Sequence, residues 1–159
     1  ISNKVKAMLS DHEARVKVLI DHKVMNVVYS VIAHRELGCQ MSESAFMLAQ
    51  ELLHGANSCC QTKVAELINA DYENTFLTKM IERIDLISDE IHEQRRLQRK
   101  EPTDEAIKVF EVGIATMQYL QGLCENHFRP NQDLLRTQRG HAGSIDVIKS
   151  VSDLSLLFC

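Results

Sequence analysis

The stretch Phe76-Leu77-Thr78-Lys79-Met80-Ile81-Glu82-Arg83-Ile84-Asp85-Leu86-Ile87-Ser88-Asp89-Glu90-Ile91 decides the fold class. Its apolar residues Phe76, Leu77, Met80, Ile81, Ile84, Ile87 and Ile91 recur every three or four positions, the period of one face of an α-helix. Strict alternation, the mark of a half-buried strand, is absent. The tail that follows, Asp89 to Lys100, is nearly all polar and reads as a solvated helix end or the entry to an insert.

The same period extends in both directions. Upstream, Val5 to Leu9 reads as a short helix, and Ser10-Asp11-His12-Glu13 as a capping box that opens a long one. The stripe of that long helix is Val16, Leu19, Ile20, Val24, Val27, Val28 and Val31, and Gly38 ends it. Ser42 is expected to cap a helix with Phe46, Ala49, Leu52 and Leu53 on one face, stopping at Gly55. Ser58 and Gln61 form a second capping box leading into Val64, Leu67 and Ile68. Downstream, Pro102-Thr103 restarts a helix with Asp104 and Glu105 in its first turn, where the helix dipole favours acids. Its stripe is Ile107, Phe110, Ile114, Met117, Leu120, Leu123 and Cys124, and Pro130 is expected to end or bend it. A short helix with Leu134 and Leu135 stops at Gly140. Ser144 then caps a last one through Ile148, Val151 and Leu154.

Seven or eight amphipathic helices with short connections predict an all-α chain, an armadillo-like α-solenoid segment, with a compact bundle as the alternative. Composition agrees: 159 residues with only 2 Pro, 6 Gly and no Trp carry few strand or turn signals. The chain is long enough for one domain with its own core. Two helical stretches, 1–101 and 102–159, are expected to form one continuous structural unit.

Charge and cysteine content exclude several classes. Lys and Arg total 18 against 22 Asp and Glu, a net charge of −4. The one basic run, Arg95-Arg96-Leu97-Gln98-Arg99-Lys100, sits at a helix end, so no nucleic-acid partner is expected. No segment approaches the roughly 20 apolar residues that span a bilayer, so direct membrane insertion is not expected. Ile1 opens a polar, amphipathic segment rather than a signal peptide. A chain that opens at Ile1 and stops on Leu156-Leu157-Phe158-Cys159 reads as a piece of a longer protein. Cys39, Cys59, Cys60, Cys124 and Cys159 are odd in number and lack CxxC spacing. Reduced thiols in a cytosolic compartment are expected, with one of Cys59 and Cys60 buried and the other partly exposed.

Catalysis is not expected. The chain has no Gly-rich phosphate loop and no HExxH, and Cys124 and His127, three apart, do not establish a nucleophile with its base.

Two stretches together resemble a known family. One is Gln50-Glu51-Leu52-Leu53-His54-Gly55-Ala56-Asn57, followed by Gln61 and Phe76-Leu77. The other is Tyr119-Leu120-Gln121-Gly122-Leu123-Cys124-Glu125-Asn126-His127, followed by Gln132 and Leu135-Arg136-Thr137-Gln138. In this order and spacing they resemble the intracellular calcium-release channels, the inositol trisphosphate and ryanodine receptors, around the start of their RIH-associated domain. The resemblance covers roughly residues 42 to 155. Asn126 is closer to the former group and Thr137 to the latter. Ala56 departs from the family, which has a second glycine there, and Phe128-Arg129-Pro130 departs from its polar run after the histidine. The stretch from Lys100 to Thr103 is shorter than the family's variable linker.

The resemblance implies a regulatory cytosolic segment of a tetrameric ligand-gated channel on the endoplasmic or sarcoplasmic reticulum. Its partners would be other domains and subunits of the same channel, and its task to relay movement to the pore. It also implies that Glu125 is half of an activating calcium site, with the second acid beyond Cys159 and His127 beside the ligands. Spacing alone offers the plainer reading of Glu125 as a helix-end carboxylate paired with Arg129, one turn away. His54 and Asn57 around Gly55 read as a helix end with left-handed backbone. The alternative to a channel segment is a free-standing α-solenoid adaptor that binds a partner protein.

Overall fold

A computed structural model describes residues 3–36, 39–98 and 101–157, without the side chains of 3–9. Eight α-helices follow one another: α1 Asn3–Asp21, α2 Val24–His34, α3 Gln40–Leu53, α4 Ser58–Ala70, α5 Thr75–Arg96, α6 Asp104–Cys124, α7 Arg129–Leu134 and α8 Val147–Leu156. A 3-10 turn, Glu125–His127, separates α6 from α7. No strand occurs among the described residues. The chain is all-α, and its succession of packed helices is compatible with the expected solenoid segment.

The core forms around α5, which packs against α2, α6 and α8. Phe76, Leu77, Met80, Ile84, Ile87 and Ile91 are all buried, as their spacing requires. Each contributes on the order of 1.5–3 kcal/mol by leaving water. Four helices send one aromatic ring each to the same place. Tyr29 of α2 stacks on Phe76 of α5 at 4.3 Å between centroids, and Tyr119 of α6 lies 5.2 Å from Phe46 of α3 and 6.2 Å from Phe76. Arg83 also falls on this buried face, at i+3 from Met80 and i−4 from Ile87. Its side chain is fully buried, pairs with Glu43 at 3.0 Å and lies over the Phe46 ring at 4.4 Å.

Asp71 tethers the start of α5. Its carboxylate accepts from the Phe76 amide at 2.8 Å, the Thr75 hydroxyl at 2.9 Å and the Tyr29 hydroxyl at 3.1 Å. Burial pushes this carboxyl up, but those donors outweigh it and hold the group below its ordinary value.

Several boundaries differ from the sequence reading. The helix expected from Ser10 onward begins at Asn3, so Ser10 lies inside α1 and caps nothing. The long helix also breaks at Lys23, whose φ of 60° is left-handed, because α1 packs on α4 while α2 turns onto α3 and α5. Gly38 lies outside the described residues. The caps expected at the other three serines, Ser42, Ser58 and Ser144, are each supplied by a nearby residue. Cys39 Sγ accepts from the Ser42 amide, Asn57 Oδ1 from the Cys60 amide, and Asp146 Oδ1 from the Lys149 amide. Tertiary contacts claim two of the expected residues: Ser42 accepts from buried Arg83 at 3.4 Å, and Ser144 accepts from the Gln138 amide. Thr103 does cap α6, accepting from the Ala106 amide at 3.2 Å.

Pro130 neither ends nor bends α6. It lies at the start of α7, where a missing N–H costs nothing, and α6 has already ended at Cys124. The apolar stripe of α6 is also rotated from the expected one. Ala106, Gly113, Thr116, Tyr119, Leu120 and Leu123 are buried, whereas Ile107 and Ile114 are 42% and 60% exposed. Gly113 explains the rotation. A Cβ there would lie 2.2 Å from Ile87 Cδ1, so α6 packs on α5 here without room for a side chain. Phe110, Ile114 and Met117 of the expected stripe instead line an open trough of about 480 Å³ with Ile87 and Leu154.

Candidate functional site

The two stretches that carry the family resemblance meet at the C-terminal end of α6. A helix leaves its last four carbonyls without partners inside the helix. Here side-chain amides supply them one after another. Gln61 Nε2 of α4 donates to the Gly122 carbonyl at 2.8 Å and to that of Glu125 at 3.2 Å. Asn131 Nδ2 of α7 donates to the Leu123 carbonyl at 2.9 Å and to that of Gln61 at 3.2 Å. Gln132 Nε2 donates to the Cys124 carbonyl at 3.3 Å. About two turns deeper, Gln50 Nε2 of α3 donates to the Ala115 carbonyl at 2.6 Å.

The expected roles of these residues change accordingly. Gln61 is buried and does not close a capping box with Ser58; its amide is turned onto α6. Asn57 has ordinary backbone at φ −59° and caps α4, while the left-handed residues of that turn are Gly55 (φ 73°) and Ala56 (φ 57°). Gln138 is buried and staples the loop after α7: its side chain accepts from the Ile145 amide at 2.7 Å and donates to the carbonyls of Ile145 and Leu134.

Glu125 follows directly on this junction. It is the C-cap of α6, and its backbone carbonyl accepts from Gln61 and from the Phe128 amide. Its side chain is exposed. The expected pair with Arg129 is not formed among the described residues, because Asn126 (φ 55°) and His127 (φ 56°) turn the chain left-handed before Arg129 is reached. His127 is likewise exposed and makes no hydrogen bond among the described residues.

The Glu125 side chain lines a cleft of about 500 Å³ between α3 and α6, together with Gln50, Glu51, His54, Gln118 and Gln121. Among the described residues no group of three or more His, Cys, Asp or Glu gathers as a metal centre. Calcium takes six to eight oxygens at about 2.3–2.6 Å, and one carboxylate supplies one or two of them. One exposed carboxylate such as Glu125 does not by itself complete that coordination sphere.

Residues 107–159, which run from the first turn of α6 through α8, match the family model described as RyR and IP3R Homology associated. The resemblance to the calcium-release channels is thus shown for this stretch. It covers 53 of the 159 residues and includes Glu125, His127 and the donors Asn131, Gln132 and Gln138. No curated protein and no solved structure matches the chain. No helix among the described residues is long and apolar enough to cross a membrane.

The family resemblance names Gln61 and Gln132 without saying why they matter; the structure makes them partners of backbone carbonyls. Two important residues escaped the sequence reading altogether. Asn131 stands beside Gln132 in a polar run and becomes buried only because α7 folds back on α6. Arg83 could have been found, since its register places it on the buried face of α5.

Proposed function

We propose that this chain is a regulatory segment of a tetrameric ligand-gated calcium-release channel, lying on the cytosolic side of the endoplasmic or sarcoplasmic reticulum. It would act through contacts with other domains and subunits of the channel. The carrying observation is the amide junction, which fastens α4 and α7 to the end of α6 immediately before Glu125, while α3 is held further back along the same helix. A movement delivered to the α3–α4 turn is transmitted to that carboxylate through hydrogen bonds rather than through loose loop contacts. Glu125 then serves as one calcium donor, with His127 beside it and the second acid supplied from beyond Cys159. A ligand biases such a relay only by the difference in its affinity for the two states.

Glu125→Gln in the intact channel tests the assignment. The amide keeps the size of the side chain and removes the charge a hard cation demands. With the primary ligand saturating, single-channel recording across a calcium series is expected to show the activation midpoint shifted roughly ten- to hundredfold to higher calcium, a change of about 1.4–3 kcal/mol. Expression and primary-ligand affinity should stay normal. An unchanged midpoint removes Glu125 from the calcium site.

A further inference from the structure

Away from the junction, the motif Leu135-Arg136-Thr137-Gln138 is only half used by the fold. Leu135 is buried and Gln138 staples the loop after α7, whereas Arg136 and Thr137 are exposed. Arg139 follows and is exposed as well. Arg136, Thr137 and Arg139 line a cleft of about 510 Å³ between α7 and the end of α4, together with Asn69, Asp133 and Leu134. Neither arginine side chain forms an ion pair or hydrogen bond among the described residues, although Asp133 shares the cleft. Two guanidinium charges against one carboxylate leave this cleft positive in a chain whose net charge is −4. The backbone that carries them is fastened at three places. The Val147 amide donates to the Leu135 carbonyl at 2.9 Å, the Ala142 amide to the Tyr72 carbonyl at 3.1 Å, and Asn74 Nδ2 to the Gly143 carbonyl at 2.8 Å. A site on such a fixed loop loses less freedom when it binds.

We propose that Arg136 and Arg139, with the Thr137 hydroxyl as a further donor, form a binding site for a dianionic phosphate group. This goes beyond the channel reading and does not depend on it. A guanidinium presents its N–H donors in a rigid fork that matches phosphate oxygens, and it stays charged at neutral pH. Two such forks suit the two charges of a phosphate monoester or of the free ion, whereas a phosphodiester offers only one. No aromatic ring lines the cleft, so a nucleobase has nothing there to stack on. The group recognised is the same whether the phosphate is free or carried on a serine or threonine side chain.

The test is an NMR titration of the 159-residue chain at about pH 7.5, where the phosphate group is mostly dianionic. Sodium chloride holds the ionic strength constant, so that diffuse attraction cancels. The probes are inorganic phosphate, a blocked tripeptide with phosphoserine at its centre, and dimethyl phosphate, a diester with one charge. The first two should shift the signals of Arg136, Thr137 and Arg139 saturably, and the diester should bind weaker by about tenfold or more. Tighter binding of the peptide makes a phosphorylated side chain the source; equal binding makes it the free ion. Arg136→Lys with Arg139→Lys keeps both charges but removes the forks, and should weaken both dianions about tenfold. Arg136→Gln with Arg139→Gln should abolish the saturable shift, with helical circular dichroism confirming that both variants fold. The plainer role for these arginines is to complement the carbonyl ends of α4 and α7. On that reading the glutamine variant loses stability and no probe gives a saturable shift, which overturns the proposal. Equal binding of the diester, or undiminished binding by the lysine variant, overturns it as well.

Discussion

The helix α6 meets the rest of the molecule in two unlike ways. Along its middle the contact is apolar: Gly113 lies against Ile87, and Tyr119 sits between Phe46 and Phe76. At its C-terminal end the contact is polar: Gln61, Asn131 and Gln132 take the carbonyls of four successive residues, 122 to 125. Apolar burial is non-directional and supplies free energy in proportion to area. Hydrogen bonds to backbone carbonyls add less net stability, but they fix one position of the chain relative to another. The middle of α6 therefore holds the fold together, and its end sets where Glu125 stands.

The largest effect should come from the apolar contact. Tyr119 is 2% exposed and touches the rings of α3 and α5. Tyr119→Ala empties a space those rings cannot refill, at a cost of about 3–5 kcal/mol. Denaturant unfolding followed by helical circular dichroism measures it. A loss below about 1.5 kcal/mol would mean that the aromatic cluster collapses around the gap and is not the main support of α6.

The polar contact should respond differently. Asn131→Leu keeps the branched shape of a fully buried side chain, with bulkier tips, but leaves the carbonyls of Leu123 and Gln61 without their donor. The expected loss is about 1–3 kcal/mol. Hydrogen exchange separates this from a packing defect: protection should fall selectively in the last turn of α6 and the first turn of α7, whereas Tyr119→Ala should lower it across α3, α5 and α6 together. Uniform loss in both variants would abolish the distinction between the two contacts.

What could be read from the sequence follows the same division. Burial imposes a period on the chain, so the helices and the buried face of α5 were legible from Phe76 to Ile91. The middle of α6 was not, because two apolar faces compete there. Ile107, Phe110, Ile114 and Met117 make the more hydrophobic stripe, yet the missing side chain of Gly113 selects the other face for close packing. Caps were misplaced where several short polar residues adjoin and a distant partner chooses among them, as Arg83 does with Ser42. The amide junction left no period at all. Gln61 meets Gly122 across 61 positions of sequence, and nothing local records that contact. The family resemblance pointed to Gln61 and Gln132 without a chemical reason, spacing gave Gln61 only a capping role, and nothing pointed to Asn131.

Gly113 offers a sharper probe of the apolar side. In Gly113→Ala the added methyl meets the far end of the Ile87 side chain. Overpacking costs about 1–3 kcal/mol, and the gain in helix propensity returns up to about 1. A net loss near 1 kcal/mol is therefore expected. Ile87→Val removes the methyl that clashes first, so combining the two substitutions should recover part of the loss. A double-mutant cycle measures the coupling, and strict additivity would show that α6 moves away from α5 as a whole.

The smallest effect belongs to the polar side and has the opposite sign. Ala56 occupies the turn between α3 and α4 with φ 57°, directly after Gly55 at φ 73°. Two successive left-handed residues let the chain reverse so that Asn57 can cap α4 and Gln61 can reach α6. A Cβ in this region crowds the following carbonyl, costing roughly 1–2 kcal/mol, whereas glycine adopts it freely. Glycine also loses more backbone freedom on folding, by roughly 0.5–1 kcal/mol. Ala56→Gly should therefore stabilise the chain by about 0.5–1 kcal/mol, read as a higher denaturant midpoint with an unchanged slope. The family's second glycine at this place acquires a physical reason if the midpoint rises. A lower midpoint would show that α3 and α4 hold the turn so firmly that the alanine is unstrained, and the junction would then be organised by the helices that flank it rather than by the turn.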